Sequence, residues 1–74
     1  MFLELNENEK FLLKTLQDNG GKMNYKELNK ICSENFEGVR LILKKLKENE
    51  FVHYEGIIPS FDSIIELIKD IKLD

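Results

Sequence analysis

The stretch FEGVRLILKKLKENEFV, residues 36–52, decides the fold because it reads as a helix that runs directly into a strand. Its apolar residues first recur every three or four positions, which is typical of one buried helical face, and Phe51-Val52 then opens a run of strand formers. We expect a helix from about Phe36 to Asn49. The residues on its buried side are Phe36, Val39, Ile42, Leu43 and Leu46.

The opposite side of this helix carries one residue that needs an explanation. A helix turns about 100° per residue, and the residues directed away from the buried side are Glu37, Gly38, Leu41, Lys44, Lys45 and Glu48. Leu41 is the large apolar side chain of this set, in which two lysines balance two glutamates. Three interpretations remain open: a solvated face with a stray leucine, a face that reads DNA, and a face that contacts a protein.

Two further helices are predicted upstream of this stretch. Asn6 and Glu9 have the spacing of a capping box and predict a helix over residues 7–18. A short extended piece at residues 22–23 follows, and a second asparagine cap predicts a helix over residues 25–32. We therefore expect a core of three helices.

Downstream, the sequence predicts a short hairpin. Phe51-Val52-His53-Tyr54 is rich in strand formers, Glu55-Gly56 suits a tight turn, and Ile57-Ile58-Pro59 would return as a short edge strand. The expected order is helix, short strand, helix, helix and hairpin, which defines a helix-turn-helix followed by a wing.

The last segment, SIIELIKDIK at residues 63–72, predicts a fourth helix that begins near Asp62 or Ser63. Ser63 and Glu66 have capping-box spacing. Ile64, Ile68 and Ile71 form an apolar stripe on this helix, with Ile65 and Leu67 on either side. The residues that would form a dimer interface are Ile64, Ile65, Ile68 and Ile71. Two interpretations remain open: the stripe packs on the first helix, or it forms the interface of a homodimer.

The composition is that of a small soluble domain. The chain has 74 residues, of which 42% are hydrophobic and 34% charged, and its formal net charge is -3. No apolar run approaches the roughly 18 residues of a membrane span, and the first residues do not resemble a signal peptide. We expect a cytoplasmic protein with no membrane partner. The negative charge argues mildly against unassisted binding to nucleic acid.

The sequence offers no recognisable pattern for catalysis or metal binding. Cys32 and His53 are the single cysteine and the single histidine, and we expect both to have structural roles. There is no Gly-rich phosphate loop and no hydrolase or metalloprotease motif. We therefore expect a protein that is not an enzyme and that uses no cofactor.

Two blocks of the sequence resemble the winged helix-turn-helix family, in particular small bacterial and archaeal transcriptional regulators. The blocks are NENEKFLLKTLQDNGGKMNYKELNKI, residues 6–31, and FEGVRLILKKLKENEFVHYEG, residues 36–56. The resemblance implies one domain over residues 1–74 that is mainly α-helical with a small β-hairpin. The winged core would occupy residues 1–60. The chain departs from the family pattern in two respects, a very short wing and an extra C-terminal helix over 61–74 that is predicted from its own apolar periodicity.

The resemblance also implies double-stranded DNA as the partner, with the third helix in the major groove. The residues that would contact DNA are Tyr25, Lys26, Lys30, Glu37, Arg40, Leu41, Lys44 and Lys45. Members of this fold also bind proteins, so a protein-interaction module centred on Leu41 is the alternative. A homodimer through the last helix would place two such faces against two half-sites.

Overall fold

The computed structural model describes residues 5–68 of the chain. These residues form a mixed fold of helices packed against a small antiparallel sheet. The elements in chain order are α1 (Glu7–Asp18), β1 (Lys22–Asn24), α2 (Tyr25–Ser33), α3 (Val39–Glu48), β2 (Val52–His53) and β3 (Ile64–Leu67). None of the helices in this part of the chain has the length and apolarity that a membrane crossing requires.

The first two helices begin where the sequence predicts, and each has an asparagine cap. The Glu9 backbone N–H donates to Asn6 Oδ1 and the Asn6 backbone N–H donates to Glu9 Oε1, each at 2.8 Å, which completes the capping box. At α2, the Lys26 backbone N–H donates to Asn24 Oδ1 at 2.8 Å. Local side-chain chemistry therefore fixes both helix starts.

The third helix begins at Val39, later than the predicted start at Phe36. Gly38 precedes it in the left-handed conformation, with φ of 81°, so the helix cannot extend back through this residue. The Phe36 backbone N–H instead donates to the Cys32 carbonyl at 2.9 Å, and the Phe36 ring meets Phe11 edge-on at 5.9 Å between centroids. Glycine at this position allows a sharp entry into α3.

One hydrophobic core joins the helices to the sheet. The predicted stripe of Val39, Leu43 and Leu46 is buried, which confirms that side of α3. Phe36 and Ile42 are partly buried and pack against the core. The other buried apolar residues are Leu12, Leu13, Leu16, Met23, Tyr25, Leu28, Cys32, Phe51, Val52, Tyr54 and Ile65.

The sheet has the strand order β1-β3-β2, and both pairings are antiparallel. Met23 lies opposite Ile65 in the first pairing. Val52 lies opposite Leu67 in the second. The last strand of the described chain, β3, is therefore the central strand. It pairs with β1, which directly precedes α2, and with β2, which follows α3.

The predicted fourth helix is wrong for residues 64–67, which form β3. Ile64 is exposed while Ile65 is fully buried, the alternation of a strand with one solvated face. Isoleucine is β-branched and suits a strand, and β3 gains backbone hydrogen bonds from neighbours on both sides. The supposed capping residue Ser63 instead accepts a hydrogen bond from the Ser60 backbone N–H at 3.0 Å. Residues 69–74, including Ile71, lie outside the described residues.

The predicted return strand at Ile57-Ile58-Pro59 is also wrong. Residues 54–63 form a loop between β2 and β3, called the 54–63 loop below. The partner of β2 is instead β3. On β3, Ile65 is buried in the core and Leu67 is partly buried against it, while Ile57 and Ile58 remain exposed. The connection that was expected to be short is therefore long, and apolar side chains project from it.

Candidate binding surface

Leu41 lies in a groove between α3 and the 54–63 loop. Three of the large apolar side chains at this surface are strongly exposed: Leu41 at 75%, Ile57 at 83% and Ile58 at 64%. The groove has a volume of about 250 Å³, and we call it the apolar groove. It is lined by Arg40, Leu41, Lys44, Ile57, Ile58 and Pro59. Leu41 is thus one member of a composite aliphatic surface that two elements build together.

Lys47 fixes the start of the 54–63 loop to α3. Its Nζ donates to the carbonyl oxygens of Tyr54 and Gly56 at 2.8 and 2.7 Å. The same Nζ lies 4.4 Å from the centroid of the Tyr54 ring, a cation–π contact. Gly56 has φ of 81°, which turns the chain so that Ile57 and Ile58 follow at the tip.

Phe61 fixes the other end of the loop to α2. Its ring stacks on Tyr25 with 5.8 Å between centroids and an interplanar angle of 19°. Arg40 Nε donates to the Tyr25 hydroxyl at 3.1 Å, and the guanidinium carbon lies 5.9 Å from the centroid of the same ring. Tyr25 is 2% exposed, so this predicted DNA contact is buried under Phe61 and already bonded to Arg40.

Lys45 is directed away from the apolar groove and towards α1. Its Nζ lies 2.9 Å from Glu9 Oε2, and the Glu9 side chain is 1% exposed. Burial raises the pKa of Glu9, but the hydrogen bond from the Asn6 backbone and the bond and charge of Lys45 outweigh it, so the pKa lies below its ordinary value. Lys45 therefore neutralises a buried carboxylate, whereas it was predicted from the sequence to contact DNA.

The other predicted DNA-contacting residues lie on the surface. Lys26 and Lys30 are exposed on α2, and Glu37 is exposed before α3. Arg40 and Lys44 are exposed on α3 beside Leu41. Within residues 5–68, no carboxylate lies within ion-pair distance of either side chain. Arg40, Leu41 and Lys44 are thus the predicted residues that the structure gathers at one site.

The residues predicted for a dimer interface do not form one helical stripe. Ile65 is fully buried in the core of this chain, whereas Ile64 in β3 and Ile68, directly after β3, are about half exposed. Ile64 lies opposite Asn24, and the adjacent Glu66 forms an ion pair with Lys22 at 3.4 Å. This side of the sheet is therefore a mixture of polar and apolar side chains.

Cys32 and Tyr54 are buried side chains of the core whose pKa values are raised. Burial raises the pKa of Cys32 to about 11, as expected for a thiol among apolar residues. Burial and the nearby Glu48 and Tyr25 raise the pKa of Tyr54, whose hydroxyl has no hydrogen-bond partner among residues 5–68. In the same range, no cluster of His, Cys, Asp and Glu has a geometry suited to a metal ion.

Sequence reasoning identified one wall of the apolar groove and missed the other. Leu41 could be identified from the sequence because helical periodicity alone places this apolar residue on the side of α3 opposite the buried stripe. The sequence of Ile57 and Ile58 fits a strand, although Pro59 and the polar residues Ser60, Asp62 and Ser63 indicate a loop. Lys47 gave no signal, because its role depends on two carbonyl groups beyond the end of its helix.

No protein-family model, curated protein or solved structure matches this chain. The geometry of residues 5–68 is therefore the basis for the functional argument.

Proposed function

We propose that this chain is a winged helix-turn-helix module that binds a partner protein through α3 and the 54–63 loop. The fold assignment is supported by the element order α1-β1-α2-α3-β2-β3 and by the antiparallel sheet order β1-β3-β2. In this interpretation α2 and α3 are the helix-turn-helix, and the 54–63 loop is the wing.

The observation that carries the proposal is the joint exposure of Leu41, Ile57 and Ile58 around one groove. Burial of each of these side chains against a partner would lower the free energy by about 25 cal/mol per Å² of apolar surface removed from water. A contiguous exposed apolar surface with a polar rim is typical of a protein-binding site. Here it occupies the recognition helix and the wing, the surfaces with which a winged helix meets its ligand.

The charge of the wing also favours protein over DNA. Residues 54–63 include Glu55 and Asp62 but no lysine or arginine. Contacts to DNA phosphates supply most of the sequence-independent affinity, and they require cations. Lys44 and Lys45 were both expected to contact DNA from α3. Lys45 forms an ion pair with the buried Glu9, so Lys44 is the one of the two that remains available to a phosphate.

Double-stranded DNA is the second candidate because cations flank the recognition helix. Lys26 and Lys30 are exposed on α2, while Arg40 and Lys44 are exposed on α3. In a DNA complex these side chains would bind phosphates, and Leu41 would contact a thymine methyl group. Such binding would weaken steeply as the salt concentration rises.

The proposal can be tested by selecting binders from a library of random 16-residue peptides displayed on phage. We expect peptides whose affinity falls at least tenfold on Leu41→Asp. Ile64→Asp is the matched control, because it also replaces an exposed aliphatic side chain by aspartate but lies outside the apolar groove. Thermal unfolding of each variant verifies that it is folded.

Recovery of no binders, or of binders that Leu41→Asp leaves unaffected, would contradict protein binding at this surface. A parallel NMR titration with mixed-sequence duplex DNA, at low and near-physiological salt, tests the second candidate. Salt-sensitive shifts confined to α2, α3 and the 54–63 loop would favour DNA. An absence of shifts at low salt would exclude it for this chain.

A further inference from the structure

The rim of the apolar groove gives information about the partner. We infer that the groove takes a short acidic peptide segment in which one or two aliphatic side chains are flanked by carboxylates. This inference rests on the proposed function, because it names the chemistry of the ligand for the same surface.

The floor of the groove selects an aliphatic side chain. Leu41, Ile57, Ile58 and Pro59 provide most of its lining, and no aromatic ring is among the lining residues. Its volume of about 250 Å³ is below the roughly 300–1,000 Å³ typical of small-molecule sites. Nucleobases bind by stacking on aromatic rings, and the Phe61 ring is already stacked on Tyr25.

The rim of the groove selects negative charge. Arg40 and Lys44 are separated by one turn of α3 and both line the groove. Among the described residues neither has a carboxylate partner, and Arg40 keeps its remaining N–H donors after bonding Tyr25 through Nε. Carboxylates on either side of an aliphatic anchor would reach these cations while the anchor occupies the floor.

The shape of the groove favours a peptide over a lipid surface. Leu41 stands on a helix and Ile57 on the facing loop, so the apolar side chains line two walls of a concave site. A segment that inserts its side chains between these walls can contact both. The loop is held at one end by Lys47 and at the other by Phe61, so the second wall is preformed.

The test compares peptide selections on the wild-type protein and on a charge-reversed variant. Binders of the wild-type protein should be enriched in Leu, Ile or Met flanked by Asp or Glu. Arg40→Glu with Lys44→Glu should weaken those peptides at least tenfold and should select basic flanks instead. Lys26→Glu with Lys30→Glu makes the same charge change outside the groove and should leave the affinities within about twofold.

The outcomes separate this inference from the proposed function. Binders that require Leu41 but show no acidic preference would overturn the inference and leave protein binding intact. Binders that do not require Leu41 would overturn both. Leu41-dependent binding to phosphatidylserine vesicles, with no peptide selected, would assign the groove to a membrane surface and would also overturn both.

Discussion

Lys45→Met should destabilise the fold because Lys45 neutralises a buried carboxylate. Glu9 is 1% exposed and Lys45 Nζ lies 2.9 Å from its Oε2. Removal of the ammonium group therefore leaves a buried carboxylate that accepts a hydrogen bond from the backbone N–H of Asn6, the N-cap residue of α1. Breaking a fully buried pair costs about 3–5 kcal/mol. Lys45 is 50% exposed and water can partly replace it, so we expect a loss of about 2 kcal/mol.

That loss is large for a domain of this size. One kcal/mol shifts the thermal midpoint of a 60–100-residue domain by about 4–8 °C, so Lys45→Met should lower it by about 8–16 °C. Lys44→Met is the matched control, because Lys44 is exposed and has no ion pair within residues 5–68. We expect it to change the unfolding free energy by less than about 0.5 kcal/mol.

Urea and thermal unfolding followed by circular dichroism at pH 7 measure both variants. If Lys45→Met is no more destabilising than Lys44→Met, the pairing of Lys45 with Glu9 is not significant in solution. Lys45 would then be available to a ligand, and the charge argument against DNA would weaken.

The same pair predicts a dependence of stability on pH. The pKa of Glu9 in the folded chain lies below its ordinary value of 4.5. The ionised carboxylate therefore contributes fully above about pH 4.5, and this contribution is lost as the pH falls through the folded pKa. In Lys45→Met the pKa of Glu9 loses the lowering effect of the lysine, so the acid-dependent loss that Glu9 contributes should be smaller than in the wild-type protein. The difference in unfolding free energy between the two proteins should therefore narrow as the pH falls below about 4.5.

Three further predictions concern the fold. Ile65→Ala should cost about 2–5 kcal/mol and Ile64→Ala less than about 1 kcal/mol, since Ile65 is buried and Ile64 exposed; equal losses in urea unfolding would contradict a strand at this position. Gly38→Ala should cost about 1–2 kcal/mol, because φ is 81° although a Cβ would meet nothing within 4 Å; an unchanged urea midpoint would refute this. Cys32, fully buried with its pKa raised to about 11, should react with iodoacetamide at pH 8 no faster than the chain unfolds, and alkylation at the rate of a free thiol would contradict its burial.

The parts of the fold that were predicted correctly depend on interactions between near neighbours. The Asn6 cap needs only the backbone and side chain of Glu9, three residues along the chain. The stripe of Val39, Leu43 and Leu46 depends on helical periodicity alone. Such signals are present in any short window of the sequence, so α1, α2 and most of α3 were predictable.

The parts that were missed depend on contacts between distant residues. Ile64 and Ile65 fit the apolar pattern of a helix as well as that of a strand. Pairing with both Lys22–Asn24 and Val52–His53 decides in favour of the strand. The ion pair between Glu9 and Lys45 and the bonds from Lys47 to the 54–63 loop likewise have no local signature. The candidate site was therefore half predictable: Leu41 from its helix, but not the loop that faces it.

The position of β3 has a consequence for how the chain acquires its sheet during synthesis. β1 and β2 do not pair with each other; each pairs with β3. The ribosome synthesises β3 after every other described element, so neither pairing can form before then. Helices need contacts over only a few residues and form in about a microsecond or less, whereas pairings between distant segments are slower. We expect a nascent chain released before Ile64 to be helical and loosely packed, with both strands of the future sheet still unpaired. Closure of the sheet should then be a single late step in which both pairings form together.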